Sequence, residues 1–327
     1  MVSNLNASSP KVGICILNYH HPDVTAKCIE SLLRKEPPST RILWIENDAA
    51  VTMEALRAEL AKAPFPWEML DGSETELPPS GTVGVILSPE NLGYAGGNNL
   101  GLKLFHRMSL PYAWVLNNDT ELMSGSSEDL AAAAEARPEV GAWGALIHAH
   151  HRFPTYEAVV AYFGGVVSQR DFRIVLAQSV TALEQEPFAY VSGCSLFTRM
   201  SIFAEVGFLP DDYFLYYEDP AFTYELKKRG YKVSGLESVV VRHLESLATG
   251  RRSPLMEFYN RRNRWFFIER YHPQALRQQK KRFWYTLQKY LFRLKFSRIR
   301  EEWIAYKDYR DRKLGPTARH FSREART

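Results

Sequence analysis

The chain has 327 residues, 45% of them hydrophobic and 24% charged, which is typical of a soluble globular protein with one large or two smaller domains. Residues 1–11 lack the basic start and apolar stretch of a secretory signal, and no window approaches the roughly 18–20 apolar residues that span a bilayer. Cys15, Cys28 and Cys194 lack CxxC spacing, so we expect buried, unpaired thiols rather than a disulfide framework or zinc site. We therefore expect a cytoplasmic protein.

Positive charge is concentrated at the end of the chain. Residues 261–327 contain 20 Lys and Arg against 6 Asp and Glu, whereas residues 1–260 contain 21 against 31. An acidic body with a strongly basic tail indicates that the tail meets an anionic partner.

Hydrophobic patterning predicts alternating strands and helices in the first third of the chain. In chain order we expect a strand at Val12–Tyr19, a helix after Pro22-Asp23, a strand at Arg41–Asn47, a helix at Val51–Lys62, a strand at Thr82–Leu87, a helix ending near Arg107 and a strand at Trp114–Leu116. This alternation is typical of an α/β fold with a mostly parallel sheet flanked by helices.

The pattern changes from about Gly141. We expect short strands at Ala158–Val167, Arg173–Ala177 and Phe188–Val191, a helix at Pro220–Arg229, a strand within Tyr231–His243 and helices from Pro254 onward. The predicted division is 1–140 as a nucleotide-binding half, 141–253 as an acceptor and catalytic half, and 254–327 as a basic, aromatic helical extension.

Polar residues follow two of the predicted strands. Trp114–Leu116 runs into Asn117-Asn118-Asp119, where a carboxylate can hold a divalent cation against a diphosphate. Glu46-Asn47-Asp48 follows the second strand, where a doubly wound sheet holds a base or ribose. An ordinary Asx turn is the alternative interpretation at both places.

A glycine-rich segment, Asn91–Asn99, lies between a predicted strand and a predicted helix. Its backbone N–H groups are suited to phosphate, although a tight structural turn explains the same glycines. The segment matches neither GxxxxGK[ST] nor GxGxxG, which argues against P-loop and Rossmann chemistry.

A second acidic pair, Glu218-Asp219, precedes Pro220 at a predicted helix start and follows the aromatic run Tyr213–Tyr217. Acidic residues there can simply stabilise the helix dipole by about 0.3–1 kcal/mol. A carboxylate beside aromatic rings is also partly desolvated, which raises its pKa and makes it a better base. His243 ends a later apolar run and is suited to a metal shell, although a lone histidine is more often an ordinary hydrogen-bonded residue. Arg251 is suited to phosphate oxygens.

Taken in order, these motifs resemble the GT-A-fold glycosyltransferases of family 2, and most of all the bacterial rhamnosyltransferase-like branch that builds surface polysaccharides. The resemblance covers about residues 11–270 and is carried by Ile16–Tyr19, Ile45–Asn47, Asn91–Asn99, Leu116–Asp119, Gly193–Arg199, Val206–Phe208, Glu218-Asp219 and Val241–His243. It implies a GT-A fold with a C-terminal helical extension.

The resemblance also implies roles for individual residues. Asp219 is similar to the catalytic base and Glu218 to its acidic neighbour, while Asp119 and His243 match metal-ligand positions. Asn117 stands where the family's Asp-x-Asp motif has its first acid, and Glu46 replaces the usual Asp. The nucleotide sugar is expected at Asn18, Tyr19, Glu46, Asn91, Gly96, Asn98, Asn99, Asn117, Asn118 and Arg251.

An inverting sugar transfer with Mg2+ or Mn2+ follows from the resemblance, with dTDP-rhamnose as the first donor candidate and UDP-hexoses, UDP-galactofuranose or GDP-mannose as alternatives. The acceptor is expected to be a saccharide or a polyprenyl-diphosphate-linked glycan. A non-catalytic sugar-nucleotide sensor, a nucleotidyltransferase and a nucleic-acid-binding protein are the rival functions. The acidic body and the absence of a recognised nucleic-acid motif argue against the last.

Two interpretations of the basic tail remain open. Its aromatic residues can pack on the catalytic body as a helical cap, or they can attach the protein peripherally to the anionic inner face of the cell membrane.

Overall fold

A computed structural model describes residues 11–152, 157–244 and 253–317 of the chain; of residues 150–158 it describes no side chain. Its strands are β1 (Val12–Asn18), β2 (Thr40–Glu46), β3 (Trp67–Leu70), β4 (Val83–Leu87), β5 (Tyr112–Asn117), β6 (Thr120–Ser124), β7 (Val140–Arg152), β8 (Glu157–Tyr162), β9 (Gly164–Val167), β10 (Ile174–Ala177), β11 (Ala189–Val191), β12 (Ser195–Arg199) and β13 (Lys232–His243).

Ten of these strands form one central sheet in the order β3-β4-β2-β1-β5-β12-β7-β13-β6, with β8 paired to β7. The half from β3 to β5 is entirely parallel, as predicted. Beyond β5 the sheet becomes mixed, because β12 is antiparallel to both of its neighbours and β6 is antiparallel to β13. A small antiparallel sheet, β10-β9-β11, lies apart from it.

Helices cover both faces of the central sheet. They are α1 (Pro22–Leu33), α2 (Met53–Leu60), α3 (Gly93–Arg107), α4 (Ser127–Ala136), α5 (Val180–Gln185), α6 (Met200–Val206), α7 (Glu218–Lys228), α8 (Pro254–Tyr271), α9 (Leu276–Phe292) and α10 (Phe296–Arg310). Side chains alternate along each strand, so Ile14 and Ile16 join the core under α1, α2 and α4, whereas Cys15 joins the core under α3, α6 and α7. The predicted α/β layering with a helical C-terminal part is confirmed.

The C-terminal helices add a third core to the molecule. Trp265, Phe283 and Tyr309 are buried there with Tyr213 and Tyr217, the aromatic residues that precede α7. The helical-cap interpretation therefore holds for part of the aromatic tail. In the ranges that the structure describes, no helix combines the length and the apolar character needed to cross a bilayer.

All three cysteines are buried and unpaired, as the sequence predicted. Cys15 lies in a purely structural environment, and its burial strongly raises the pKa of its thiol.

Candidate active site

Polar side chains end three neighbouring parallel strands of the sheet. Asn18 ends β1, Glu46 lies opposite it at the end of β2, and Asn117 ends β5 opposite Leu17. Parallel strands present their carboxyl ends at one edge of a sheet, and ligands of open α/β folds bind outside that edge. The structure therefore brings these three predicted residues to one place.

Asn18 and Glu46 form a buried hydrogen-bond network rather than two independent contacts. Asn18 Nδ2 donates to Glu46 Oε2 at 2.6 Å, and Asn18 Oδ1 accepts from the hydroxyl of Thr25 at 2.7 Å. The predicted residue Asn118 joins the network, because its Nδ2 donates to Thr25 Oγ1 at 2.9 Å. Burial raises the pKa of Glu46, while the hydrogen bond from Asn18 acts in the opposite direction.

Asn47 braces the glycine-rich segment at the start of α3. Its Nδ2 donates to Asn91 Oδ1 and to the carbonyl of Gly93, both at 3.1 Å, and its Oδ1 accepts from the N–H of Leu92 at 3.0 Å. Asn91 Oδ1 also accepts from the N–H of Gly93 at 2.9 Å. The start of the segment is thus held by Asn47 at the end of β2 and by the side chain of Asn91.

The remaining residues of this segment are buried in the fold. Asn98 Nδ2 donates to the carbonyl of Tyr94 at 2.9 Å, and its Oδ1 is buried without a hydrogen-bond partner in the described part of the chain. Asn99 is fully engaged with the backbone of Leu209, as donor at 2.8 Å and as acceptor at 3.1 Å. Gly96 lies where a Cβ would come 2.9 Å from that of Leu92.

Tyr19 lies just beyond β1 and is half-buried. Its ring centroid lies 3.8 Å from that of His20, whose Nδ1 is 2.6 Å from Asp48 Oδ2. Burial and the nearby Asp48 carboxylate raise the pKa of the Tyr19 phenol, and a hydrogen bond with Asn91 partly opposes them. Tyr19 therefore lies at the end of β1 beside the His20–Asp48 pair.

Asp119 and His243 are in contact. The two-residue turn Asn118-Asp119 joins β5 to β6, and β13 pairs with β6 so that His243 lies opposite Thr120. His243 Nε2 is consequently 3.1 Å from Asp119 Oδ1, with both side chains largely buried. Burial disfavours the imidazolium form, but the Cys194 sulfur and the Asp119 carboxylate outweigh burial and raise the pKa of His243 well above its ordinary value.

Glu218 and Asp219 begin α7 after a strained stretch of backbone. Phe214, Tyr216 and Tyr217 have φ of 68°, 66° and 78°, a left-handed conformation that is costly for aromatic residues. Strain of this kind, about 1–3 kcal/mol for each residue, persists only where surrounding contacts enforce it. Here it turns the chain so that the two carboxyl groups face the loop between β11 and β12.

Burial perturbs both carboxyl groups. It raises the pKa of Asp219 to about 6, although Asp219 Oδ2 accepts a 3.0 Å hydrogen bond from the N–H of Gly193. Burial, reinforced by the Asp219 charge, raises the pKa of Glu218 well above its usual value. Glu218 Oε2 has no hydrogen-bond partner in the described ranges. Two carboxyl groups with different environments are typical of a site that handles protons.

Two adjacent residues join the acidic pair to the Asp119–His243 pair. Gly193 donates its N–H to Asp219, and the carbonyl of the next residue, Cys194, accepts at 3.0 Å from the N–H of Asn117, two residues before Asp119. Tyr94 lies beside the same loop, donating its hydroxyl to the Gly193 carbonyl at 2.6 Å. Burial raises the pKa of its phenol well above the ordinary value, and Cys194 and the charges of Glu218, Asp219 and Asp119 act in the same direction.

Cys194 and Tyr94 were not among the predicted site residues. Cys194 was predicted to be only a small buried residue, because a cysteine in an apolar run gives no sign of the imidazole it meets in the fold. Both residues did lie inside motifs that carried the family resemblance, and this was the available signal. Of the predicted residues, Arg251 lies outside the described part of the chain.

The Asp119–His243 pair fits a partial shell for a divalent cation. Neighbouring ligands of an octahedral ion at about 2.1 Å lie about 3.0 Å apart, close to the observed 3.1 Å. Within residues 11–152, 157–244 and 253–317, no three His, Cys, Asp or Glu side chains form a cluster able to hold a metal. Two protein ligands completed by substrate phosphates and water are the usual arrangement for Mg2+.

The parallel sheet edge, the mixed extension and the helical cover together define a GT-A fold. The fold is similar to that of GalNAc-T7 solved with UDP, GalNAc and Mn2+, at a TM-score of 0.56 and 14% identity over 82% of this chain and 52% of the other. It is also similar to that of the mannosyltransferase PcManGT from Pyrobaculum calidifontis solved with GDP-Man and Mn2+. The TM-score is 0.51 and the sequence identity 12%, and the match covers 93% of this chain and 88% of the other.

In sequence, the chain is similar to the N-acetylglucosaminyl-diphospho-decaprenol L-rhamnosyltransferase of Mycobacterium tuberculosis. The two are 27% identical over 179 residues, which cover 49% of this chain. The match spans 58% of the length of that relative. No family model matches the chain. The chain is thus a GT-A-fold protein with similarity to a rhamnosyltransferase.

Proposed function

We propose that this protein is an inverting glycosyltransferase that transfers a sugar from a nucleotide-sugar donor. The observation that carries the proposal is that the Gly193-Cys194 loop contacts both Asp219 and Asn117, which precedes the Asp119–His243 pair by two residues. It combines a carboxylate of raised pKa with a cation site beside a polar sheet edge. The GT-A fold supports the same activity.

Asp219 acts as the general base. It accepts the proton of the acceptor hydroxyl while that oxygen forms a bond to the anomeric carbon of the donor. The bond between that carbon and the diphosphate oxygen breaks, its electron pair leaves with the nucleoside diphosphate, and configuration inverts. The Gly193 N–H holds one Asp219 oxygen, which fixes the carboxylate during the transfer.

Asp119 and His243 are the residues that would hold Mg2+ or Mn2+. The cation would stabilise the negative charge that develops on the departing diphosphate. Two proteins of the same fold were solved with Mn2+, which supports this assignment. Asn117 supplies a neutral side chain where a second acid would increase metal affinity, so we expect weak binding of the cation without nucleotide.

L-rhamnose is the first candidate for the transferred sugar, because the relative from Mycobacterium tuberculosis is an L-rhamnosyltransferase. UDP-hexoses, UDP-galactofuranose and GDP-mannose are the alternative donors. The diphospho-decaprenol acceptor named for that relative supports a lipid-linked glycan as acceptor here. We place the transfer in the cytoplasm or at the inner face of the membrane. We retain residues 1–140, 141–253 and 254–327 as the proposed functional divisions.

A thermal-shift screen of nucleotide sugars, with and without Mn2+, identifies the donor. A ligand that binds only the folded state at 100 times its Kd stabilises that state by about 2.7 kcal/mol. The donor should therefore raise Tm by several degrees, and more in the presence of Mn2+. If no nucleotide sugar raises Tm with or without the metal, the proposal is wrong.

Asp219→Asn tests the base directly. We expect transfer to the acceptor to fall by about 10²–10⁴-fold, while the donor-induced thermal shift persists. Because burial disfavours the ionised carboxylate, the amide should not lower Tm at pH 7.5. Asp23→Asn is the matched control, since Asp23 also lies in the first turn of a helix but is exposed. Full transfer by Asp219→Asn would remove Asp219 from the mechanism, and donor binding without transfer by the unaltered protein would indicate a sensor.

A further inference from the structure

Exposed apolar side chains are concentrated on the hairpin formed by α9 and α10. Of the fourteen large hydrophobic residues that the described part of the chain exposes, seven lie between positions 284 and 303. They are Trp284, Tyr285, Leu291, Phe292, Leu294, Phe296 and Trp303, which we call the hairpin surface. Large exposed apolar patches mark interaction sites.

The outer face of α9 is not the polar face of an ordinary surface helix. Its inner positions, including Gln279 and Phe283, are buried against the aromatic core at helical spacing. Its outer positions include Trp284, Tyr285 and Phe292, and Phe292 is 88% exposed. A helix that only capped the body would present polar side chains there.

The turn of the hairpin has an unusual residue choice. Leu294 is 74% exposed and has φ of 52°, a left-handed conformation that costs an ordinary residue roughly 1–2 kcal/mol and glycine nothing. Every residue from Leu291 to Ser297 is exposed. Fold stability therefore does not explain an apolar side chain at this turn.

Positive charge surrounds these apolar side chains. Residues 276–300 contain nine cationic residues and no Asp or Glu: Arg277, Lys280, Lys281, Arg282, Lys289, Arg293, Lys295, Arg298 and Arg300. Of these nine, Arg298 is paired with Glu257 and Glu301, and Glu301 and Glu302 also pair with Arg261 on α8. The hairpin surface is thus both apolar and strongly cationic.

We propose that the hairpin surface binds an anionic lipid bilayer, with its turn inserted among the lipid headgroups and acyl chains. Trp and Tyr prefer this interface, Leu and Phe prefer the acyl region, and Lys and Arg are attracted to anionic headgroups. A second copy of the same surface would place like charges together. Nucleic acid would leave Leu291 and Leu294 without a suitable partner, because leucine neither stacks on bases nor binds phosphate.

Vesicle flotation of the full chain tests the proposal without requiring glycosyl transfer. We expect the protein to float with vesicles that contain about one third phosphatidylglycerol in phosphatidylcholine, and not with phosphatidylcholine alone. Binding should weaken as the salt concentration rises. Equal binding to both vesicle types, or to neither, would overturn the proposal.

Two sets of variants separate the apolar and the cationic contributions. Phe292→Ser with Leu294→Ser should lower the partition coefficient by at least tenfold, and the same changes at exposed Val175 and Leu176 on β10 should leave it unaltered. Replacing Lys289, Arg293 and Lys295 by Gln should lower it by about 100-fold, whereas Gln at exposed Lys35, Arg57 and Lys103 should have little effect.

The folding control is the thermal transition, which these exposed substitutions should leave within about 2 °C. Transfer to a soluble acceptor should also persist, so failure of the membrane proposal is distinguishable from failure of the proposed activity. Light scattering that shows a dimer lost in the Phe292→Ser, Leu294→Ser variant would assign the hairpin surface to a second copy. Retention of the wild type on RNA, but not on anionic vesicles, would assign it to nucleic acid.

Discussion

Asp219 makes the proposed reaction sensitive to pH. Its pKa is raised to about 6 by burial, and only the ionised form can accept the acceptor's proton. We therefore expect kcat/KM to rise about tenfold per pH unit below about 6 and to level off above it. A transfer assay between pH 4.5 and 8 at saturating metal measures this acidic limb of the pH profile, the rise of kcat/KM below about pH 6.

Glu218 provides the control for that assignment. Burial and the neighbouring Asp219 charge raise its pKa well above the ordinary value, and its Oε2 has no hydrogen-bond partner among the described residues, whereas Asp219 accepts the N–H of Gly193. Glu218→Gln should leave the limb near pH 6 in place. Loss of the limb in this variant, with kcat/KM then flat across the range, would transfer the role of base from Asp219 to Glu218.

Among the elements, the start of α3 controls how closely the glycine-rich segment approaches the aromatic run before α7. Gly93 has φ of 72°, and a Cβ there would lie 2.2 Å from the carbonyl oxygen of Phe214. We expect Gly93→Ala to lower the free energy of unfolding by at least 3 kcal/mol, since the methyl adds a backbone clash to the cost of a left-handed residue. Urea denaturation measures the loss.

Gly81 is the matched glycine for this experiment. It has φ of 82°, and a Cβ there would meet nothing within 4 Å. Gly81→Ala should therefore lower the free energy of unfolding only by the cost of a left-handed backbone at alanine, roughly 1–2 kcal/mol. Equal losses at the two positions would mean that the contact with Phe214 is not rigid.

The parallel half of the fold was predictable because each strand there is a continuous apolar run bounded by turn residues. β1, β2, β4 and β5 were predicted within about two residues of their observed bounds. The mixed half was not. β12 lies between β5 and β7, and its place depends on pairing with residues about 80 positions earlier, which local periodicity does not encode. β3, β6 and the long β7 were not predicted.

The positions of the acidic and polar residues of the candidate site could be predicted from the sequence, but the long-range contacts between them could not. Strand ends and a helix start located Asn18, Glu46, Asp119 and Asp219, because these positions follow from hydrophobic runs. Asn99 was predicted to bind the nucleotide sugar, but in the structure its amide binds the backbone of Leu209. Such a contact joins residues 110 positions apart, so composition and spacing could not distinguish it from a ligand contact.

On the scale of the whole molecule, the C-terminal extension contacts the strained segment that precedes α7. Asn263 on α8 is fully buried, and its Nδ2 lies 3.0, 2.8 and 2.8 Å from the carbonyls of Tyr213, Leu215 and Tyr216. Arg262 donates to the Tyr213 carbonyl as well, at 3.1 Å. These contacts enforce the left-handed residues before Glu218-Asp219, so the extension contributes to the site without containing any predicted catalytic residue.

Asn263→Ala tests whether that long-range support matters for catalysis. The Tyr213 carbonyl keeps Arg262 as a donor, but the carbonyls of Leu215 and Tyr216 lose the Asn263 amide, at about 1–3 kcal/mol, and the strained segment can relax. We expect the free energy of unfolding to fall by about 2–4 kcal/mol and kcat to fall at least tenfold at a temperature where the variant is fully folded. Asn260→Ala on the same helix removes a single local bond to Met256 and should change neither by much. A destabilised Asn263→Ala variant with unaltered kcat would show that Asp219 is positioned by α7 and Gly193 alone, and that the extension serves stability and surface attachment rather than the geometry of the base.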